Sequence, residues 1–141
     1  SRFLAYIYFN NNLVNKNILE NGLANLYYYD KDSHYSELKK AEESARNSEL
    51  GIWKKSNNSN CIKLVSLLYK DNGKCENQEQ LILQNSCQKL DVIIKDDANH
   101  IYSESVNNGI FTKNFSCIWN DAGDTLYIRD NQGMILFYRY F

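Results

Sequence analysis

The chain's opening places one cation where phosphate chemistry could happen. Arg2 heads the apolar run Phe3-Leu-Ala-Tyr-Ile-Tyr8. A guanidinium stays charged at any working pH, and its planar fork matches two phosphate oxygens. Phe3, Ala5 and Ile7 alternate with Leu4, Tyr6 and Tyr8, a period of two that predicts a strand over residues 2–8 covered on both faces. Tyr28 and Tyr29 could stack on bases or offer a hydroxyl to phosphate, or they could simply pack. Asp30 and Asp32 suit a helix start better than a metal, since Ca²⁺ takes about six to eight oxygens. Asp121, Asp124 and Asp130 lie at Gly-Asp and Asp-Asn turns, where carboxylates bond their own backbone. His34 and His100 fall in different segments and no Cys-x-x-Cys occurs, so a zinc site is not expected.

The elements that must position these groups can be read in order. Asn10-Asn11-Asn12 is a turn, and Val14, Ile18, Leu19 and Leu23 recur at helical spacing up to Gly22, a natural left-handed cap. A second helix carries a narrow stripe of Tyr35, Leu38, Ala41 and Ala45, with Lys39–Glu43 and Glu42–Arg46 on a solvated face, and it is expected to end at Gly51. Lys54 to Asn60 is polar throughout and reads as a flexible connector. Beyond it the period becomes strand-like, over 61–69, 79–85, 90–95, 100–103, 110–113, 116–119, 125–130 and 134–141, as in an all-β sandwich. Asp130-Asn-Gln-Gly133 is the clearest hairpin turn.

All four cysteines follow residue 60. If residues 62–69 and 79–85 pair with 69 opposite 79, Cys61 faces Cys87, giving either a cross-strand disulfide or two buried thiols. The pairing of Cys75 and Cys117 stays open. A disulfide would point to an oxidising compartment.

Composition sets outer bounds. With 141 residues, 43% apolar and 23% charged, the chain is a folded globular protein of one ordinary domain or two small ones. A net charge of −1 excludes a global field drawing it to nucleic acid, so any affinity for phosphate is local. No stretch approaches the ~18 apolar residues of a membrane span. Asn57-Asn-Ser59 and Asn114-Phe-Ser116 fit the glycosylation pattern.

Arg2-Phe-Leu-Ala-Tyr-Ile-Tyr8, Val14-Asn15, Glu20-Asn-Gly-Leu-Ala24, the tyrosine run, Leu38-Lys-Lys-Ala-Glu42 and Leu50-Gly-Ile-Trp53, in that order, resemble the C-terminal half of the staphylococcal nuclease (thermonuclease) family. The resemblance covers residues 1–55. It implies one strand and two helices of an OB-type barrel, cleavage of DNA and RNA phosphodiesters with Ca²⁺, and a phosphate-binding catalytic role for Arg2. It also implies nucleotide contacts by Tyr28 and Tyr29. The family's Ca²⁺-binding carboxylates, general-base glutamate and second arginine belong upstream of Arg2. The chain therefore reads as the C-terminal part of a longer protein, inactive by itself and short of the barrel strands its first 53 residues need. Residues 61–141 resemble the lamin-tail domain, an immunoglobulin-like sandwich, through Glu79-Gln-Leu-Ile-Leu-Gln-Asn85, Trp119-Asn-Asp-Ala-Gly-Asp-Thr-Leu126 and Leu126-Tyr-Ile-Arg-Asp130 with Gly133.

The expected organisation is thus a truncated nuclease-like domain at 1–55, a linker at 56–60 and a β-sandwich at 61–141. The expected parent is a secreted or surface-attached nuclease acting on nucleic acid, its lamin-tail ligand unknown. The rival is a non-catalytic scaffold on a degenerate nuclease fold, and a cytoplasmic location is the alternative.

Overall fold

Asn10 and Asn11 both take positive φ, 46° and 60°, which asparagine tolerates better than other side-chain-bearing residues. They turn β1 (Tyr8–Phe9) onto β2 (Asn12–Leu13), pairing Tyr8 with Leu13. The computed structural model describes residues 4–27, 32–70 and 79–140, and the chain divides into two compact units, Ser1–Lys54 and Lys55–Phe141. The strand expected over 2–8 is not seen at residues 4–7, which lie in no strand. Among the described residues no strand pairs with them. Asn15 engages one edge instead, accepting the Ile7 N–H at 2.9 Å and donating to the Ala5 carbonyl at 3.2 Å.

Helix α1 (Val14–Glu20) and helix α2 (Tyr35–Asn47) pack together through Leu19, Leu38 and Ala41. Both end in the same two-bond cap. Gly22 N–H bonds Leu19 O and Leu23 N–H bonds Ile18 O, while Glu49 N–H bonds Arg46 O and Leu50 N–H bonds Ala45 O. The left-handed position after α2 is therefore Glu49, φ 54°, and not Gly51 as expected. Gly51, φ 53°, instead opens a 3-10 turn (Gly51–Trp53) that crosses Gly22, φ 64°. A Cβ at Gly22 would stand 2.2 Å from Leu50 O, one at Gly51 would stand 2.2 Å from Gly22 O, and Ile52 N–H bonds Gly22 O at 2.8 Å. The two glycines are what allow this backbone crossing.

The second unit is a sandwich. Strands β3 (Ile62–Leu68), β4 (Glu79–Asn85) and β7 (Gly109–Phe115) form an antiparallel sheet in the order β3-β4-β7. Strands β5 (Leu90–Lys95), β6 (Ile101–Val106), β8 (Asp124–Arg129) and β9 (Met134–Tyr140) form the other, in the order β6-β5-β8-β9. One core joins them, with Leu81, Leu83 and Phe115 from the first sheet meeting Ile94, Leu126 and Ile128 from the second. A disulfide links Cys61 to Cys87 with the Cα atoms 5.3 Å apart. The expected register holds over Ser66–Leu68, and a bulge between Leu64 and Ser66 shifts it by one at Ile62–Leu64.

Three expectations are corrected here. Residues 116–119 form no strand, because the buried Glu79 carboxylate accepts the Ile118 and Trp119 N–H groups at 2.8 and 2.9 Å and so takes the place of a ladder. The connector at 56–60 is not free. Ser56 N–H bonds Met134 O, and Asp130 accepts the Ser56 hydroxyl at 2.6 Å and the Asn58 amide at 2.8 Å. Finally, Glu42 is fully buried, its carboxylate accepting the Leu26 N–H at 2.8 Å, so it belongs to the interior of unit 1 and not to a solvated face.

Candidate functional site

Arg2, Tyr28 and Tyr29, on which the sequence reading placed phosphate and base contacts, lie outside the described residues, as do Asp30 and Cys75. What can be built is the ground beside them. Tyr6 and Tyr8, two apart on an extended segment, project to the same side. His34, just before α2, meets both: its ring lies 4.3 Å from that of Tyr6, centre to centre, and its Nε2 is 3.2 Å from the Tyr8 hydroxyl.

Asp32 organises the cluster. It accepts a hydrogen bond from the Tyr6 hydroxyl, and its other oxygen accepts the N–H groups of His34 and Tyr35 at 2.9 and 3.1 Å, capping the entry to α2. The bond to Tyr6 is the main reason the Asp32 carboxyl sits below its ordinary range, with the two backbone N–H groups adding to it. The same bond, with the neighbouring charge, holds the Tyr6 phenol above its own. Nearby, Lys16 lies 3.1 Å from Glu37 and 3.6 Å from Glu20, a screened surface network of small energetic weight.

Beside this cluster runs an apolar groove of about 680 Å³, walled by Leu4, Ile18, Leu26, Tyr27 and Leu38, with Tyr6 and Asp32 at its polar edge. Leu4 and Tyr27, in the segments flanking the helix pair, remain exposed to 80% and 48%. On its inner side Glu42 holds Leu26, and its own neighbour Arg46 rests its guanidinium 5.9 Å above the Trp53 ring. The chain entering the tyrosine run is thereby fixed to α2.

Among the described residues no side chains fit a Ca²⁺ site. Asp32 is committed to a phenol and two backbone amides, and no group of three or more His, Cys, Asp or Glu among the described residues could hold a metal. In the second unit, Asp124 accepts the Asp97 and Thr125 N–H groups, and Asp97 accepts the Thr125 and Tyr127 hydroxyls. Sequence reasoning missed the Tyr6–Tyr8–His34–Asp32 cluster. The spacing of the two tyrosines was a usable signal, but the histidine and aspartate arrive 26 residues later and nothing local joins them.

No curated protein and no solved structure matches the chain. Residues 1–55 match the family described as staphylococcal nuclease homologue, so the first unit, with its crossed glycines and capped helix pair, is similar to part of a nuclease of that kind.

Proposed function

We propose that these residues form the C-terminal portion of a Ca²⁺-dependent nuclease that hydrolyses DNA or RNA phosphodiester bonds. The family match over residues 1–55 carries this reading. Its support in the structure is the order of elements, in which the motif glycines Gly22 and Gly51 make one backbone crossing and an open apolar groove lies beside the segment that follows Arg2. Arg2 binds the scissile phosphate and strengthens its hydrogen bonds as charge builds during in-line attack by water. Tyr28 and Tyr29 contact the nucleotide. The carboxylates that hold Ca²⁺ lie outside these 141 residues, and the 141-residue chain alone is inactive.

Residues 61–141 serve as a lamin-tail-like, immunoglobulin-type sandwich that anchors or positions the nuclease. The Cys61–Cys87 disulfide supports an extracellular or cell-surface location.

The test is hydrolysis of labelled DNA and RNA by the parent protein with and without Arg2→Ala. Loss of one charge-stabilising donor lowers turnover roughly 10²–10³-fold while the circular dichroism spectrum is unchanged. A variant as active as the parent overturns the role of Arg2, and a parent inactive with Ca²⁺ overturns the nuclease reading.

A further inference from the structure

The cysteines of the sandwich meet different surroundings. Cys61 is buried, Cys87 is half-buried, and the two are joined to each other against the core. Cys117 is exposed, yet it too is disulfide-bonded, and among the described residues no cysteine is free. The corner around it is held without that bond. Phe115 pairs with Glu79 at the end of the β4–β7 ladder, and the Glu79 carboxylate accepts the Ile118 and Trp119 N–H groups. The Phe115 ring meets that of Trp119 edge-on, 4.7 Å centre to centre. Between these anchors Cys117 takes φ 52°, a left-handed backbone that a residue with a Cβ adopts only at a cost.

We propose that Cys117 is bonded to Cys75, and that this second disulfide is the reducible one, opening and closing by exchange with low-molecular-weight thiols while Cys61–Cys87 stays shut. The pairing follows by elimination. Of the four cysteines, Cys61 and Cys87 are spent on each other, which leaves Cys75 for Cys117. Chain length permits it. Cys75 comes four residues before Glu79 and can stand no farther from it than about 14 Å, while Glu79 itself holds Ile118, the neighbour of Cys117. Exchange requires a thiolate to reach a sulfur, so a disulfide that is exposed and seated on a strained backbone yields before one set against the core. The first attack frees one cysteine and leaves a mixed disulfide, which a second small thiol resolves. Two small thiols thereby become one disulfide, and the two protein sulfurs take up two electrons and two protons. Because Glu79 and the Phe115–Trp119 contact hold the corner by themselves, the sandwich stays folded with this bond open. The second unit thus carries one cross-link for stability and one that responds to thiol in its surroundings. The inference stands apart from the nuclease reading, because it uses no residue of the first unit.

The experiment uses the whole chain, purified without reductant. Trypsin with a glutamyl endopeptidase separates Cys75 from Cys87 by cutting at Glu76 and Glu79, and mass spectrometry of the unreduced digest is expected to find the Cys75 peptide joined to that of Cys117. Glutathione is then raised stepwise on the folded chain, with iodoacetamide trapping each thiol as it appears. Cys75 and Cys117 are expected to be alkylated at about tenfold less glutathione than Cys61 and Cys87, with the far-ultraviolet circular dichroism unchanged at that stage. Without the trap, oxidised glutathione is expected to restore the bond. Cys117 joined to any other cysteine, whether of this chain or of a second copy, overturns the pairing. Cys61 and Cys87 labelled first or together with the other two, or a sandwich that loses its folded signal as the Cys75–Cys117 bond opens, overturns the reducible role.

Discussion

Glu79 shows how much one side chain can settle. It sits at the start of β4, fully buried, and turns the segment before Trp119 into a loop by accepting two backbone N–H groups. Removing it leaves buried donors unpaired at about 1–3 kcal/mol each. Glu79→Ala is accordingly expected to lower stability by roughly 3 kcal/mol in urea denaturation, with Glu79→Gln, which keeps one acceptor oxygen, losing less. Tyr127 and Tyr140 make a prediction of opposite chemistry. Burial is the first cause that raises both phenols, helped at Tyr127 by the charge of Asp97 and at Tyr140 by those of Asp124 and Glu79. An unfolded tyrosine ionises near pH 10, so the contribution of these neutral phenols is complete below about pH 10 and declines as pH rises toward their folded values. Near-ultraviolet tyrosinate absorbance is expected to show a late fraction that appears only together with loss of the folded circular dichroism signal. At this scale the sequence was legible where a side chain serves its own turn, as Asp130 does by accepting the Gln132 and Gly133 N–H groups. It was silent where a side chain serves a segment far along the chain, as with Glu79, Glu42 and the Tyr6–Asp32 pair.

Among the elements, the crossing of Gly22 and Gly51 is the least tolerant point of unit 1. A left-handed residue with a Cβ costs about 1–2 kcal/mol by itself, and here the added carbon would also stand 2.2 Å from a backbone oxygen at either position. Gly22→Ala and Gly51→Ala are each expected to destabilise unit 1 beyond that conformational cost, read as loss of helical circular dichroism at lower urea. The helices were readable because their apolar spacing is local and regular. The first strand was not, because a strand exists only with a neighbour, and the alternation of residues 2–8 records a preference without supplying the ladder. The frame of β3 against β4 could be read from the hairpin, whereas the bulge at Val65 has no residue type that announces it.

For the molecule as a whole, the Cys61–Cys87 disulfide is a cross-link whose weight is comparable to that of one large core side chain. Cys61 and Cys87 are 26 residues apart, and closing a loop of that length removes about 3.5 kcal/mol of unfolded-chain entropy on the loop-closure account. The double change Cys61→Ser with Cys87→Ser is expected to lower the stability of the second unit by an amount of that order, measured against the unchanged chain under non-reducing conditions. The change from helical to strand-like period after residue 60 made two kinds of architecture visible in the sequence. What composition could not show is that Ser56 and Asn58, ordinary members of a polar run, are claimed by Asp130, 74 and 72 residues further on.

The clasp between Gly22 and the 3-10 turn bears on any attempt to dissect the chain. Because Ile52 N–H reaches back to Gly22 O and Trp53 lies under Arg46, a cut made where the second helix stops would discard the stitches that tie the helix pair shut. A shortened protein has to run through Trp53 to keep that closure, and a protease that nicks between Glu49 and Ile52 would undo it without touching either helix.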